Sequence, residues 1–359
     1  MAAFDMEKSA KPSLPRLTNV MERRRAPLAG SDEVILADIL KTHEALAAAL
    51  AILAAGGIVA VPTETVYGLA GDATDGVAVA RIFEAKGRPH FNPLIAHVAD
   101  MAMAEGLAEF DVVSRRLADA FWPGPLTLVL PLKPGSAIHP LVTAGLATVA
   151  LRMPGGFAHE LIAAFGRPLA APSANSSGRI TATTAQAVAA DLGDRLELIV
   201  DGGRAPVGVE STIVKVEPDG VRVLRPGGIA ADEIEQAAGV TLLRGAAEGI
   251  QAPGMLASHY APGAAVRPNA AEVRPGEALL AFGPARIEGA AHAVATLNLS
   301  ETGDLREAAA NLFSFMAELD RSGAVCIAVE PIPNEGLGEA INDRLARAAA
   351  PRDSGVGEP

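Results

Sequence analysis

Short apolar runs alternate along this chain with longer stretches in which apolar positions recur every three or four residues. Ile58-Val59-Ala60-Val61 reads as a buried strand that ends in the loop Pro62 to Leu69. A helix is expected over 76–86, and Leu94 to Val98 is the next strand. Leu126 to Leu130, Thr148 to Arg152, Leu198 to Asp201 and Ser211 to Val216 are further strands. Short strands alternating with helices predict an α/β domain with a mixed, twisted sheet. Residues 45–62 form an uncharged stretch of 18 positions. Leu46, Leu50 and Leu53 recur there at helical spacing, and Gly56-Gly57 and Pro62 interrupt the stretch, so one apolar stripe of a soluble helix is expected and no membrane span.

Periodicity fades over residues 247–264, where Gly, Pro and Ala cluster. Beyond them Glu277 to Pro284 reads as a strand running into a turn. A helix over 305–322, a strand around Cys326 and a helix over 338–350 follow. Strand, helix, strand, helix at this size predicts a smaller Rossmann-like α/β domain. The expected organisation is therefore an extension over 1–30, a catalytic domain over 31–246, a linker over 247–264, a second domain over 265–350 and a tail over 351–359. Gly336-Leu337-Gly338 before a helix is a partial glycine fingerprint, but it lacks the strand and turn that a dinucleotide site requires.

Composition narrows this picture. A chain of 359 residues exceeds the usual size of one core, and half of its residues are hydrophobic while aromatics make up 4%. The cores should therefore be aliphatic. A net charge of −12 opposes non-specific binding to nucleic acid, although local basic patches can still contact RNA. The single cysteine, Cys326, excludes an internal disulfide and sits in an apolar run, so it reads as a core thiol. Residues 1–30 hold prolines and Arg23-Arg24-Arg25 without periodicity, and Lys8 and Lys11 have no apolar run behind them. Neither a secretory signal nor a membrane segment is expected, and the localisation reads as cytoplasmic.

Candidate chemistry centres on Lys86-Gly87-Arg88-Pro89-His90-Phe91-Asn92-Pro93-Leu94. Lys86 as a point charge and Arg88 as a planar fork can converge on one polyanion. No Walker A loop, zinc spacing or nucleophile elbow is present, and neither His43-Glu44 nor His159-Glu160 has a second histidine four residues on. Arg152 at a strand end can pair with a carboxylate. Alone, His97 reads as a core histidine, Thr65 as a cap or loop hydroxyl, and Ser173-Ala174-Asn175 as a polar turn.

The Lys86 stretch lies in order with Pro62 to Leu69, Ala171 to Gly178, Val209 to Val214 and Leu224 to Gly228. Together they resemble the YrdC-like family, and specifically the threonylcarbamoyl-AMP synthases. Pro253-Gly254-Met255 and Ser258-His259-Tyr260-Ala261-Pro262 resemble the linker of its long, two-domain form, so the likeness covers residues 34–350. It implies a YrdC-like domain followed by the smaller Rossmann-like one. It implies that Lys86, Arg88, Asn92, Thr148, Ser173, Asn175, Thr181, Arg225 and Tyr260 face ATP. Thr65, His97, Arg152, Ala171 and Ser211 would surround L-threonine. His90, Phe91 and Ile180 depart from the family pattern.

The implied reaction is a nucleotidyl transfer that joins L-threonine, bicarbonate and ATP into threonylcarbamoyl-AMP and pyrophosphate. Lys86 and Arg88 would act electrostatically, and Mg2+ would arrive with ATP, bound by no protein side chain. The product would pass to tRNA-threonylcarbamoylating proteins. Two alternatives remain at this level: a binding module that grips double-stranded RNA or a nucleotide, and a carbamoyl-transfer domain of a larger protein. Tyr260 is expected to close over the site as part of a lid supplied by the linker alone. On that expectation a chain ending after Pro262 keeps measurable activity.

Overall fold

The computed structural model describes residues 36–243, 249, 251–255 and 258–351. The extension over 1–30, nearly all of the tail and part of the 247–264 linker lie outside the described residues. All described residues belong to one compact unit that begins at Leu36.

Among the described residues, eleven strands form the larger sheet. They are β1 (Asp38–Lys41), β2 (Val59–Val61), β3 (Gly68–Asp72), β4 (Ile95–His97), β5 (Leu126–Pro131), β6 (Thr148–Arg152), β7 (Leu169–Ala170), β8 (Leu198–Asp201), β9 (Thr212–Glu217), β10 (Gly220–Arg225) and β11 (Leu242–Leu243). Their order is β1-β8-β2-β3-β7-β4-β6-β5-β9-β10-β11, with parallel and antiparallel pairs mixed. The expected mixed sheet is present.

Register gives the central strands two different faces. On one, Ala96, Leu128, Leu151 and Val214 join the main aliphatic core. On the other, His97 pairs with Arg152, Ile95 with Ala150, Ala150 with Val129, and Thr127 with Ile213. This second face carries only a small apolar floor of Ile95, Val129, Ala150, Ile213 and Leu224, covered by Ala252 and Met255. Polar side chains stand at its margins, and there the loops gather.

The helix Gly76–Lys86 delivers the first of them. Asp75 caps its start by accepting from the Val77 amide at 2.8 Å, and Gly87 ends it with a left-handed φ of 58°. Lys86 thus sits at the last helical position, beside the floor of the site.

Two local expectations change. Gly68 and Leu69, expected at the end of a loop, open β3, which pairs antiparallel with β2 through Val59 and Ala70. Two glycines and an aspartate make this a poor strand by propensity, and full burial between neighbours overrides it. The helix Thr42–Ala54 buries Ala45, Ala49 and Leu53 rather than Leu46, Leu50 and Leu53. Its small residues face Ala158, Leu161 and Ile162 of the helix Gly156–Phe165, and the leucines flank that contact.

The smaller sheet contains β12 (Ala265–Arg267), β13 (Glu277–Ala281), β14 (Thr296–Asn298) and β15 (Cys326–Val329) in the order β12-β15-β13-β14, all parallel. The helices Leu305–Asp320 and Leu337–Ala349 complete the expected Rossmann-like lobe. Cys326 is only half-buried, because it opens β15 rather than lying in its middle. Gly338 has a packing reason: a Cβ there would lie 1.9 Å from the Pro333 carbonyl oxygen. The core of this lobe includes Leu312, Phe313, Ile341 and Leu345, and it extends to Val66 and Val209 from the loops of the larger sheet and to Tyr260 from the 247–264 segment.

Candidate active site

The polar margin of the sheet face closes into a cavity of about 50 Å³. Eight residues singled out in the sequence line it. Arg88, His97 and Arg152 come from β4, β6 and the loop before β4. Ala171 and Ser173 follow β7, Ser211 precedes β9, Arg225 ends β10, and Tyr260 comes from the linker. Glu210, Pro253, Gly254 and His259 complete the wall together with Val66, Ile95 and Pro172.

Three buried cations, Arg88, Arg152 and Arg225, line the cavity, and a fourth, Lys86, lies behind its wall. The Lys86 ammonium donates to the Ser173 carbonyl at 2.6 Å and to the Asn175 carbonyl, and burial with Arg88 nearby lowers its pKa to about 7. Arg88 donates to the carbonyls of Asn92 at 3.2 Å and Pro93 at 2.8 Å, and burial followed by Arg225 lowers its pKa to about 10. Arg225 donates from Nη2 to the Ser211 carbonyl at 2.9 Å and to its hydroxyl at 3.2 Å. Arg152 donates to the Gly124 carbonyl at 3.1 Å and pairs with Glu64 at 2.7 Å. Each loop cation is thereby held by main-chain oxygens, which orient it without neutralising it. Arg152 is the exception.

Glu64 was not singled out, although it lies inside a quoted motif. Burial works to raise its pKa, but the charge and hydrogen bond of Arg152 outweigh it and the carboxyl is held below its ordinary value. Glu210 was missed as well. Its Oε1 accepts from Thr181 at 2.9 Å and its Oε2 from Arg344 at 2.9 Å. Burial is again outweighed, here by Arg344 and then Arg225, and the Glu210 pKa falls to about 2. The sequence signal for both was available: a cluster of buried arginines requires carboxylates, and Glu64 and Glu210 are the acids inside the motifs.

The remaining predicted residues surround the cavity rather than line it. Thr65 is fully buried, with its hydroxyl 2.8 Å from that of Thr63. Thr148 opens β6 on the same face as Ala150 and Arg152. Asn92 is buried with both side-chain polar atoms unpartnered. Asn175 and Thr181 line a neighbouring cleft of about 700 Å³. The Asn175 amide has both of its donors engaged, because Nδ2 donates to the carbonyls of Ser176 at 2.9 Å and Arg179 at 3.0 Å. The tight turn at Gly178 brings those carbonyls within reach, so Asn175 shapes the loop and presents only Oδ1 unpartnered.

His97 is buried, its Nε2 lacks a partner, and burial followed by Arg152 pushes its pKa well below the ordinary imidazole value. It is neutral at physiological pH and can accept or donate one hydrogen bond. Tyr260 is fully buried with a left-handed φ of 64° and an unpartnered hydroxyl. Its ring lies 5.4 Å from Phe313 and 4.1 Å from His259, centroid to centroid. Tyr260 is therefore embedded in the smaller lobe's core. Burial pushes the His259 pKa down to about 3. Among the described residues no group of three or more acidic, histidine or cysteine side chains could seat a metal ion. Both carboxylates at the cavity are engaged by arginine.

Buried cations anchored by main-chain carbonyls, with unpartnered polar atoms at Asn92, His97 and Tyr260, are an arrangement able to hold a polyanion on a mixed sheet of this type. Family comparison agrees. Residues 51–227 match the Sua5/YciO/YrdC model, described as telomere recombination, and residues 229–350 match the model of the threonylcarbamoyl-AMP synthase C-terminal domain. The threonylcarbamoyl-AMP synthase of Pyrococcus abyssi is 42% identical over 83% of this chain and 92% of its own. That of Bacillus subtilis is 40% identical over 89% and 97%. The crystal structure of P. abyssi Sua5 complexed with L-threonine superposes with a TM-score of 0.78 at 37% identity, covering 87% of this chain and 97% of that one. The chain belongs to the threonylcarbamoyl-AMP synthase family.

Proposed function

We propose that the chain joins L-threonine, bicarbonate and ATP into L-threonylcarbamoyladenylate, releasing pyrophosphate. The observation that carries this reading is the convergence of Arg88, Arg152 and Arg225 on one cavity beside a neutral His97, with the Lys86 ammonium held just behind its wall on the Ser173 carbonyl. In the first stage the threonine ammonium and bicarbonate give an N-carboxy carbamate, water and a proton. In the second a carbamate oxygen attacks the α-phosphorus of ATP, the bond from that phosphorus to the bridging oxygen breaks, and pyrophosphate leaves with the electron pair.

Lys86, Arg88 and Asn92 would hold the phosphates, Ser173, Asn175 and Thr181 would complete the cradle, and Thr148, Arg225 and Tyr260 would stand on the remaining sides. Thr65, His97, Arg152, Ala171 and Ser211 would enclose threonine. Arg152 would pair with its carboxylate, while Glu64 keeps the guanidinium in place. Catalysis is then positioning and electrostatic stabilisation by fixed cations, without a covalent nucleophile. Mg2+ would enter as the ATP complex, carried by phosphate and water. A cavity of about 50 Å³ is far below the several hundred Å³ of a ligand pocket, so the Tyr260 lid must open for ATP.

Residues 31–246 are proposed as the catalytic domain, 247–264 as linker and lid, and 265–350 as a second domain that closes it. The product would serve tRNA-threonylcarbamoylating proteins in the cytoplasm. Among the described residues no helix is long and apolar enough to cross a membrane. Incubation with ATP, threonine and labelled bicarbonate tests the reading. Label should appear in an adenylate, and pyrophosphate release should require threonine and bicarbonate together. Release of pyrophosphate that ignores either one would overturn it.

A further inference from the structure

The helix Leu337–Ala349 places one charged side chain against the catalytic loops, and the proposed reaction assigns it nothing. Arg344 is fully buried. Its Nε donates to Glu210 Oε2 at 2.9 Å and its Nη1 to Asp343 Oδ2 at 2.7 Å. The guanidinium carbon lies 5.3 Å from the centroid of the Tyr260 ring. Nη2 has no partner. A fully buried arginine is a costly way to dock two lobes, since apolar residues of similar volume usually do so as well or better.

The docking surface has apolar means at hand. Val66 and Val209 share a core with Phe313, and Gly208 meets the helix Leu305–Asp320 so closely that a Cβ would lie 2.4 Å from the Ala309 carbonyl oxygen. Arg204, at the exposed edge of the same surface, donates to the Ala310 carbonyl at 2.8 Å and to the Ser314 hydroxyl. What Arg344 adds is direction. Glu210 borders the cavity, and its two oxygens are divided between Arg344 and the Thr181 hydroxyl.

We propose that Arg344 is a positioning residue supplied by the smaller lobe: it fixes the Glu210 carboxylate, and through it the Thr181 hydroxyl, while backing the Tyr260 ring against the cavity. Arg344 does not line the cavity; it acts through Glu210 and Tyr260. Without the smaller lobe the phosphate side of the site would keep its cations yet lose the orientation of one hydroxyl and of the lid. The inference rests on the proposed ATP reaction, and nucleotide binding tests it separately.

The experiment uses the full chain with Arg344→Lys, Arg344→Gln, Glu210→Gln and, as a docking control, Arg204→Ala. Fold is checked by circular dichroism and melting, nucleotide affinity by calorimetry, and KM for ATP and for threonine separately. Losing a charge-assisted bond should weaken ATP binding about tenfold or more in both Arg344 variants, with threonine affinity retained. Glu210→Gln should reproduce that loss, whereas Arg204→Ala should lower stability only.

The pH profile is the second readout. Glu210 faces Arg344, Arg225, Lys86, His259 and Tyr260. Removing Arg344 leaves a buried carboxyl with less positive charge, so it takes up a proton at higher pH. The activity of Arg344→Gln relative to wild type should then fall further in mild acid, and Arg344→Lys should restore that limb without restoring ATP affinity. Folded Arg344 variants with wild-type ATP affinity and a flat ratio overturn the proposal. If Arg344→Gln does not fold, the Lys variant and Glu210→Gln decide it by the ATP affinity alone. Wild-type protein that binds ATP but needs neither threonine nor bicarbonate would instead overturn the proposed reaction and leave the binding comparison standing.

Discussion

Lys86 meets two carbonyl oxygens at the end of its helix, inside a buried site with Arg88 close by. Because its pKa is lowered from an ordinary 10.5 to about 7, the unfolded chain binds more protons than the folded one between those values. Stability of the free protein should therefore rise with pH across that window and be lost as pH falls through about 7. An arriving triphosphate restores the ammonium, so calorimetry in buffers of different ionisation enthalpy should report uptake of up to about one proton per nucleotide above neutral pH. No buffer dependence would refute the ammonium–phosphate pairing. Lys86→Ala and Arg88→Ala should each weaken nucleotide binding by about ten- to hundredfold with native circular dichroism. Arg152→Ala should raise KM for threonine by about tenfold and leave KM for ATP nearly unchanged. The reverse pattern would place Arg152 against the nucleotide.

At the scale of elements, register and turns set the geometry. Pairing of β4 with β6 puts His97 beside Arg152, and pairing of β5 with β9 brings Thr127 next to Ser211, whose hydroxyls lie 2.7 Å apart. The linker turn depends on Gly254, which has φ of 84° and whose Cβ would lie 2.7 Å from Arg225 Cδ and 3.3 Å from the Tyr260 hydroxyl. Gly254→Ala should displace both side chains, cost about 1–3 kcal/mol of local strain and reduce turnover without unfolding the sheet. Wild-type kinetics in that variant would show that the turn does not control the site. The helix ending in Lys86 and most strands were legible from apolar spacing. β3 was not, because its glycines and aspartate carry no strand signal and only burial between β2 and β7 makes it one.

For the whole molecule, Tyr260 connects the two lobes. A lid supplied by the linker alone would survive removal of the smaller lobe, but the ring is embedded against Phe313 and Arg344. That changes the expectation for truncated chains. Ending the chain after Pro262 should abolish synthesis almost as completely as ending it after Gly249, because Tyr260 loses the surface that holds it. Substantial pyrophosphate release by the longer truncated chain would mean that the lid closes unaided. The glycines at 208 and 338 belong to this scale too, each allowing a backbone approach that no periodicity foretells.

By itself the sequence determined the two α/β layers, the motif loops and the cationic character of the site, since apolar spacing and the chemistry of lysine, arginine and turn residues are local properties. It could not determine partners. That Glu64 would hold Arg152, that Glu210 would stand between Thr181 and Arg344 from 134 residues away, and that Asn175 would use its own amide on the loop were decided by tertiary structure. Burial penalises a charge or polar hydrogen without a counterpart, and which counterpart is near depends on how the sheets and lobes come together.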